Sequence, residues 1–388
     1  MTEDIGHLIY KNNNYYSYDS ITYEIVKNRD SNPDIKFYYH DDVYSKINWT
    51  IEPDISLEEL YRTRAQQIRD KYDYLILAFS GGADTSQILN TFLKNNIFLD
   101  EVIHLHPLEL TKNIKPTWDR THKHGVIFEY EGAALPQLKL LAKNHPKTKI
   151  TVVDTSKSFS SQFSNDKIVE ANPDIFYTTA LHAADQQKIE TGSYFNAIRN
   201  IDLNTSMDRI SDKLKPRTVG LIVGADKPKY DFIDNKFYFY FTSSGRSNPA
   251  ICPNPNIRYS SELFFWHPDS PLIPVKQCHI LKKFFERSSP NLRKKVYVTL
   301  KSAVAIKALE ADFVKELIYP DYNPSYYQKY KHAGDGVPAT DFVGTKATQA
   351  VNSYYDYFLG NMSVSSNRRA VVGAKSKYYY VGNLTVAI

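Results

Sequence analysis

Five apolar residues run without a break from Leu75 to Phe79, and the chain then reads Ser-Gly-Gly-Ala-Asp-Thr-Ser over positions 80 to 86. A short continuous apolar run closed by a glycine turn predicts a strand buried on both faces, as in a parallel sheet. From Gln87 to Leu93 the apolar positions change to helical spacing, so the glycines sit at a strand-to-helix turn. Upstream, Ile55 to Tyr72 predicts a helix: Ser56 can cap it, Glu58 and Glu59 fall in its first turn, and Leu57, Leu60, Tyr61 and Ile68 recur at helical spacing. Downstream, strands are predicted at 102–106, 150–153 and 218–223, alternating with helices at 134–143 and within 174–203. Such alternation predicts an α/β fold, a parallel sheet with helices on both faces.

The flanks read differently. Tyr15 to Tyr18 and Lys36 to His40 are aromatic strand candidates broken by Asn, Asp and Pro, which makes residues 1–55 a small β-rich region. After a hairpin strand at 237–242 comes a long irregular segment containing Arg246 and Arg258, a candidate lid in which solvated arginines are the simpler reading. An aromatic cluster follows at 262–268, then helices at 274–285, 303–317 and 347–359 and a hairpin at 377–384. These changes divide the chain into 1–55, 56–245 and a mixed α+β region, 246–388, that would bind an acceptor.

The strand-to-helix turn has a chemical use. The first amides of a helix lack partners within it and, with the helix dipole, favour an anion. Gly81 and Gly82 remove side chains that would keep a phosphate from the backbone. Ser80, Thr85 and Ser86 add hydroxyls, and Ala83 completes the candidate phosphate-binding run 80–86. Asp84 is out of place beside an anion unless it holds a metal ion that bridges to the phosphates. Ligands of such sheets bind at the carboxyl ends of the strands. That rule brings in His106 and Asp154, and also Gly224, where backbone can approach a ligand. Just beyond Gly224, Asp226 could share the metal, and Lys227 or Lys229 could neutralise pyrophosphate. His104 and His106 face one side of their strand with no further ligand at metal spacing, so a structural role is favoured for the pair.

The run from Ser80 to Ser86 resembles the PP-loop, SGGxDS/T, of the N-type ATP pyrophosphatases, which include asparagine, argininosuccinate, NAD and GMP synthetases and the tRNA thiolation and lysidine enzymes. Ser80, Gly81, Gly82, Asp84, Thr85 and Ser86 match it, and no Gly-Lys-Ser/Thr follows to make a Walker loop. Gly224-Ala225-Asp226 is similar to the second loop of asparagine synthetase-like enzymes, Gly-x-Gly-Ala/Ser-Asp-Glu, with Lys227 in place of the final acid. The resemblance implies a HUP-like three-layer αβα core that binds ATP and Mg²⁺. It implies attack of an acceptor oxygen on the α-phosphorus, departure of pyrophosphate, and displacement of AMP by a nitrogen or sulfur nucleophile. Such chemistry asks for positioning and charge neutralisation rather than a protein nucleophile. The glutaminase of asparagine synthetase needs a cysteine after Met1; Thr2 stands there, so ammonia or an amine would have to supply nitrogen.

Composition narrows the choice. Among 388 residues, Cys252 and Cys278 are the only cysteines, too few for a disulfide framework or a cysteine zinc site. The shortage also argues against sulfur transfer. Cys278 lies on the predicted helix beside His279, where adjacent residues diverge, and reads as core. No apolar run reaches the length of a membrane span and the amino terminus lacks a signal-peptide core, which predicts a cytoplasmic protein without a membrane partner. A net charge of +5 is too small to assign nucleic acid. The 30 tyrosines are scattered, which favours β-rich packing over base-stacking platforms. The favoured expectation is an AMP-forming ligase that makes a C–N bond to a small carboxylate or carbonyl acceptor. Modification of a nucleobase in tRNA or DNA is the alternative, and non-catalytic nucleotide binding the third. Nucleic acid and a second copy of the chain stay open as partners.

Overall fold

The structure, a computed structural model, describes residues 6–16, 18–30, 32–112, 129–156, 192–215, 217–224, 229–243, 259–288, 315–323 and 374–384. In chain order the elements are β1 (His7–Tyr10), β2 (Asn13–Tyr15), α1 (Tyr18–Lys27), β3 (Ile35–Tyr38), α2 (Asp41–Tyr44), α3 (Leu57–Lys71), β4 (Tyr74–Ala78) and α4 (Ala83–Lys94). Then come β5 (Glu101–His106), α5 (Leu108–Thr111), a π-helical turn (Glu129–Ala134), α6 (Leu135–Asn144), β6 (Lys149–Asp154) and α7 (Gly192–Leu214). The remainder are β7 (Val219–Val223), β8 (Lys229–Ile233), β9 (Lys236–Tyr240), β10 (Ser260–Leu263), α8 (Leu272–Arg287) and β11 (Tyr379–Asn383).

Five strands form one all-parallel sheet in the order β10-β7-β4-β5-β6. Every residue of β5 and β7 is buried, as is the middle of β4, so both faces of the sheet centre are covered. Helix α3 forms where the pattern places it: the Ser56 hydroxyl accepts from the Glu59 amide at 3.1 Å, and Leu57, Leu60, Tyr61, Ala65 and Ile68 are buried. The strand order has one reversal. From β4 the chain runs outward to β5 and β6, then returns to the other side of β4 for β7 and β10. The loop after β4 and the end of β7 therefore share the point where the two halves of the sheet diverge, the usual ligand position in open α/β sheets.

Two expectations change. The segment at 260–263 is the fifth parallel strand rather than only an aromatic cluster, and its carboxylate, Glu262, is fully buried. Residues 379–383 do not fold back on themselves; they pair antiparallel with β9, which also pairs with β8. The predicted helix over 174–203 is described from Gly192 and continues to Leu214, while residues 174–191 lie outside the described residues, as do Cys252, Arg246, Arg258, the span 347–359 and all of the predicted 303–317 helix but its last residues, 315–317. The amino-terminal strands form an antiparallel sheet, β2-β1-β3, that meets the β8–β9–β11 sheet through residues 374–376. Lys375 bridges to Lys36 on one side and to Thr242 on the other. The seam is filled with rings: Trp49 stacks on Phe239 and Tyr379 at 5.0 and 4.7 Å, and the Tyr39 hydroxyl donates to the Trp266 carbonyl at 2.6 Å.

One buried ion cluster fastens β10 to α3. Arg64 lies within the apolar stripe of α3, 1% exposed, and its Nη2 donates to Glu262 Oε2 at 2.6 Å and to the Leu263 carbonyl at 3.0 Å. The Tyr72 hydroxyl and the Lys71 ammonium reach Glu262 Oε1 at 2.6 and 2.8 Å, and His267 Nε2 lies 3.4 Å from Oε2. Burial pushes the Glu262 carboxyl up, but Arg64, Lys71 and Tyr72 outweigh it and hold it below its ordinary value. His267 is driven down to about 4 by burial and by Arg64.

Both groups make the fold acid-sensitive. The Glu262 contribution is complete above the ordinary carboxyl pKa and is lost as pH falls through the lower folded value. For His267, between an ordinary value of 6.5 and about 4 the unfolded chain binds the extra proton, so stability falls as pH drops through that window. The urea midpoint should therefore decline from neutral pH toward pH 5, and less steeply in His267→Gln. At neutral pH, Glu262→Gln leaves a buried guanidinium uncompensated and should cost about 3–5 kcal/mol in urea denaturation; an unchanged midpoint would show the pair to be dispensable.

Candidate functional site

Strand β4 delivers the loop and α4 receives it. The Phe79 amide still donates to the Ile103 carbonyl of β5 at 2.8 Å, so the chain leaves the sheet only at Ser80. Gly81 has φ +83°, a left-handed conformation, and a Cβ there would lie 2.7 Å from the backbone nitrogen of Ala134 in the π-helical turn. Gly82 is the N-cap of α4 in extended conformation and makes no side-chain cap hydrogen bond. A Cβ on Gly82 would meet only the Ser80 hydroxyl, at 3.2 Å, so the space beside the first turn of α4 is otherwise open at that residue.

The hydroxyls brace the loop. Ser80 Oγ accepts from the Gly82 amide at 3.1 Å and meets Thr85 Oγ1 at 3.2 Å. Thr85 donates to the Gly82 carbonyl at 3.2 Å and Ser86 to the Gly81 carbonyl at 3.3 Å, while Gln137 Nε2 donates to the Gly81 carbonyl at 3.4 Å. Ala83, Thr85 and Ser86 are buried, and Ser80 and Gly82 partly so.

Asp84 lies in the first turn of α4, where its charge suits the helix dipole, and its side chain is largely covered. Its Oδ1 accepts from the Tyr319 hydroxyl and its Oδ2 lies 3.6 Å from Lys315 Nζ. The carboxylate assigned to a metal from sequence is thus held by a lysine and a tyrosine from the carboxy-terminal region. Among the described residues no three His, Cys, Asp or Glu side chains converge on one point, and Asp226 and Lys227 lie outside them.

The other sequence candidates separate. Gly224 ends β7 beside the loop, but the space a side chain would take is filled by Thr85, whose Cγ2 would lie 2.7 Å from a Cβ; the glycine serves close packing of β7 on α4 rather than an approach to a ligand. Lys229 begins β8, in the antiparallel sheet rather than at the end of a parallel strand. His106 is 2% exposed and lies within a stack rather than in an opening: its ring is 4.3 Å from that of Tyr130, and its Nε2 is 2.9 Å from Thr111 Oγ1. His104 stacks on the same tyrosine and donates from Nδ1 to the Phe79 carbonyl at 2.7 Å, a structural support for the loop's first residues. Asp154 closes β6 and accepts from the amide and hydroxyl of Ser156; these bonds hold its carboxyl below the ordinary range although burial opposes them.

Residues 315–323 lie along α4, a contact that the predicted helix over 303–317 did not announce. Beyond the Asp84 contacts, the Asp321 amide donates to Gln87 Oε1 at 3.0 Å, and the Asp321 carboxylate pairs with Gln87 and Lys94. Tyr319 stacks on Phe265 at 5.2 Å, and the Ile318 carbonyl accepts from Tyr61 at 2.8 Å. A trace was present on α4 itself: Asp84, Gln87 and Lys94 stand at spacings that share one helix face. Between this segment and the start of α3 lies an open polar cleft of about 260 Å³ lined by Arg62, Gln87, Lys94 and Asp321 among others.

No protein-family model matches this chain, and no curated protein matches it. Among the described residues no helix is long and apolar enough to cross a membrane.

The two loop glycines should respond differently to substitution. Gly81→Ala meets both a positive φ and the Ala134 backbone, and should cost about 1–3 kcal/mol in thermal or urea unfolding. Gly82→Ala has negative φ and one flexible neighbour, and should fold with nearly unchanged stability; equal losses would contradict the loop geometry.

Proposed function

We propose that the chain binds ATP with its phosphates against the turn from Ser80 to Ser86 and splits it to AMP and pyrophosphate. The activated group is a carboxylate or carbonyl, and the product a C–N bond, as in an asparagine synthetase-like enzyme without its glutaminase. The observation that carries this reading is the Gly82 N-cap of α4, bare of a side-chain cap and open beside Ser80, at the reversal point of a parallel sheet. The five-stranded parallel sheet, with the turn at its one reversal of strand order, is compatible with the three-layer αβα core of this reading.

In this reading the amides of the first turn of α4 face the departing pyrophosphate, and Lys315 adds a positive charge within one side chain's reach of Asp84. The acceptor oxygen forms its bond to the α-phosphorus as the bond to the bridging oxygen breaks, and the pyrophosphate carries the electron pair away. Ammonia or an amine then forms the new bond to carbon, and AMP leaves. Magnesium, when bound, would neutralise phosphate charge. The described residues offer it one carboxylate, Asp84, already engaged by Tyr319 and Lys315, so no step is routed through the ion. A nucleobase carbonyl as acceptor is the second reading, favoured by the tyrosine and lysine face of the antiparallel sheet.

Pyrophosphate release from ATP should be stimulated by ammonia together with a carboxylic acid. Stimulation by RNA or DNA instead selects the nucleobase reading, and ATP binding without release selects a non-catalytic role. Asp84→Asn takes away the described carboxylate at the turn that could hold magnesium, and should lower turnover by about 10²-fold or more without unfolding the chain. Gly82→Val should weaken ATP binding in calorimetry. A chain that neither binds nor splits ATP removes the proposal.

A further inference from the structure

The outward side of the antiparallel sheet has an unusual composition. Strand β9 and its extension read Lys-Phe-Tyr-Phe-Tyr-Phe over 236 to 241. Phe237, Phe239 and Phe241 point inward and are fully buried, so Tyr238 and Tyr240 point outward. On the neighbouring strand Tyr379 and Val381 are inside while Tyr378 and Tyr380 lie outside. The register sets Tyr380 opposite Tyr238. Ring centroids are 5.6 Å apart for Tyr238 and Tyr380, 5.2 Å for Tyr240 and Tyr378, and 5.9 Å for Tyr238 and Tyr378, so the four rings form one continuous patch.

Cations are placed among these rings. Lys375 Nζ sits 4.4 Å from the centre of Tyr240, accompanied by the Tyr378 hydroxyl at 2.8 Å and Asp231 at 3.3 Å. Burial would pull this ammonium down, but the Tyr378 and Tyr240 hydroxyls and the Asp231 carboxylate hold it up, so it stays charged. Lys36 is the bridge partner of Lys375 on the adjoining sheet, so the two share a face, and its side chain is 70% exposed. On the same strand as Lys36, Tyr38 stacks at 4.7 Å on His7 of the neighbouring strand β1.

Tyrosine alone on a solvent face is satisfied by strand preference. On β8 the same side carries Asp231 and an exposed Ile233, opposite Tyr238 and Lys236. Rings in a contiguous patch with Lys375 among them and Lys36 beside them are the combination that takes bases on π-faces and phosphates on ammonium groups. A protein partner is the competing occupant, since tyrosines also serve protein interfaces, but neither it nor a neutral glycan needs lysines set among the rings. We propose that this face binds single-stranded nucleic acid, the tyrosines acting as stacking platforms and Lys36 and Lys375 as phosphate contacts. The inference rests on the sheet alone and stands whether or not the loop binds ATP.

Fluorescence anisotropy of the full chain with labelled homopolymeric single strands of RNA and DNA tests it, with duplex DNA and heparin as competitors. Single strands should bind and be displaced poorly by duplex. Replacing Tyr378 and Tyr380 by Ala should weaken binding by about tenfold or more, whereas replacing both by Phe should preserve it. Lys36→Gln, on an exposed side chain, should reduce the slope of log affinity against log salt by about one. The melting temperature of each variant shows whether it folds, and Lys36→Gln carries the test if the alanine pair does not. No binding, equal displacement by heparin, or a folded alanine pair that binds like the parent would each overturn the proposal.

Discussion

The reversal of strand order at β4 governs the rest of the molecule. A parallel sheet must be covered on both faces, so the chain leaves through α4 and returns through a long crossover on each side of β4. At the reversal, crossovers to the two sides depart in opposite directions, which opens a crevice at the carboxyl ends of β4 and β7. Among the described residues it is narrowed by Thr85 against Gly224 and by Ala134 against Gly81, contacts close enough that a methyl group at either glycine would collide.

The reversal also explains why a buried charge is tolerated. Among the described residues β10 is the last strand of its half, at the edge beside β7. Arg64 from α3 and Tyr72 from the entry to β4 meet Glu262 there. A buried carboxylate is destabilising alone; with a guanidinium, an ammonium and a phenol around it the cluster fixes which residue of β10 faces α3. A slip of one residue would take Glu262 away from every one of these partners.

Much of the central fold was legible because it depends on local pattern. Continuous apolar runs marked β4, β5 and β7, and Ser56 marked the start of α3. The fifth strand was missed because three of the four residues Ser260-Ser261-Glu262-Leu263 are polar, the glutamate being satisfied by an arginine far earlier in the chain. The pairing of β11 was missed for a related reason: alternating aromatics announce a strand but not its partner, and β9 supplies one from far away in sequence. At the loop, Gly81 and Gly82 were readable as backbone requirements. The partners of Asp84 were not, since Lys315 and Tyr319 carry no local mark of reaching α4.

Those partners bear on how an anion would be received. Asp84 is a negative charge at a positive helix end, so it offsets part of the attraction that the first turn of α4 would exert on a phosphate. Lys315 restores the balance: its ammonium lies 3.6 Å from one oxygen of that carboxylate while the Tyr319 hydroxyl donates to the other. If the loop receives phosphates as proposed, the anion meets a carboxylate already paired with a cation rather than a bare negative charge. Tyr319 is itself fixed by Phe265 and by its neighbour's carbonyl bond to Tyr61, so the element that presents the lysine is anchored in the core that holds α3. Loop, helix and carboxy-terminal segment are therefore tied together through one carboxylate, whose charge the lysine offsets at the helix end where an anion would arrive.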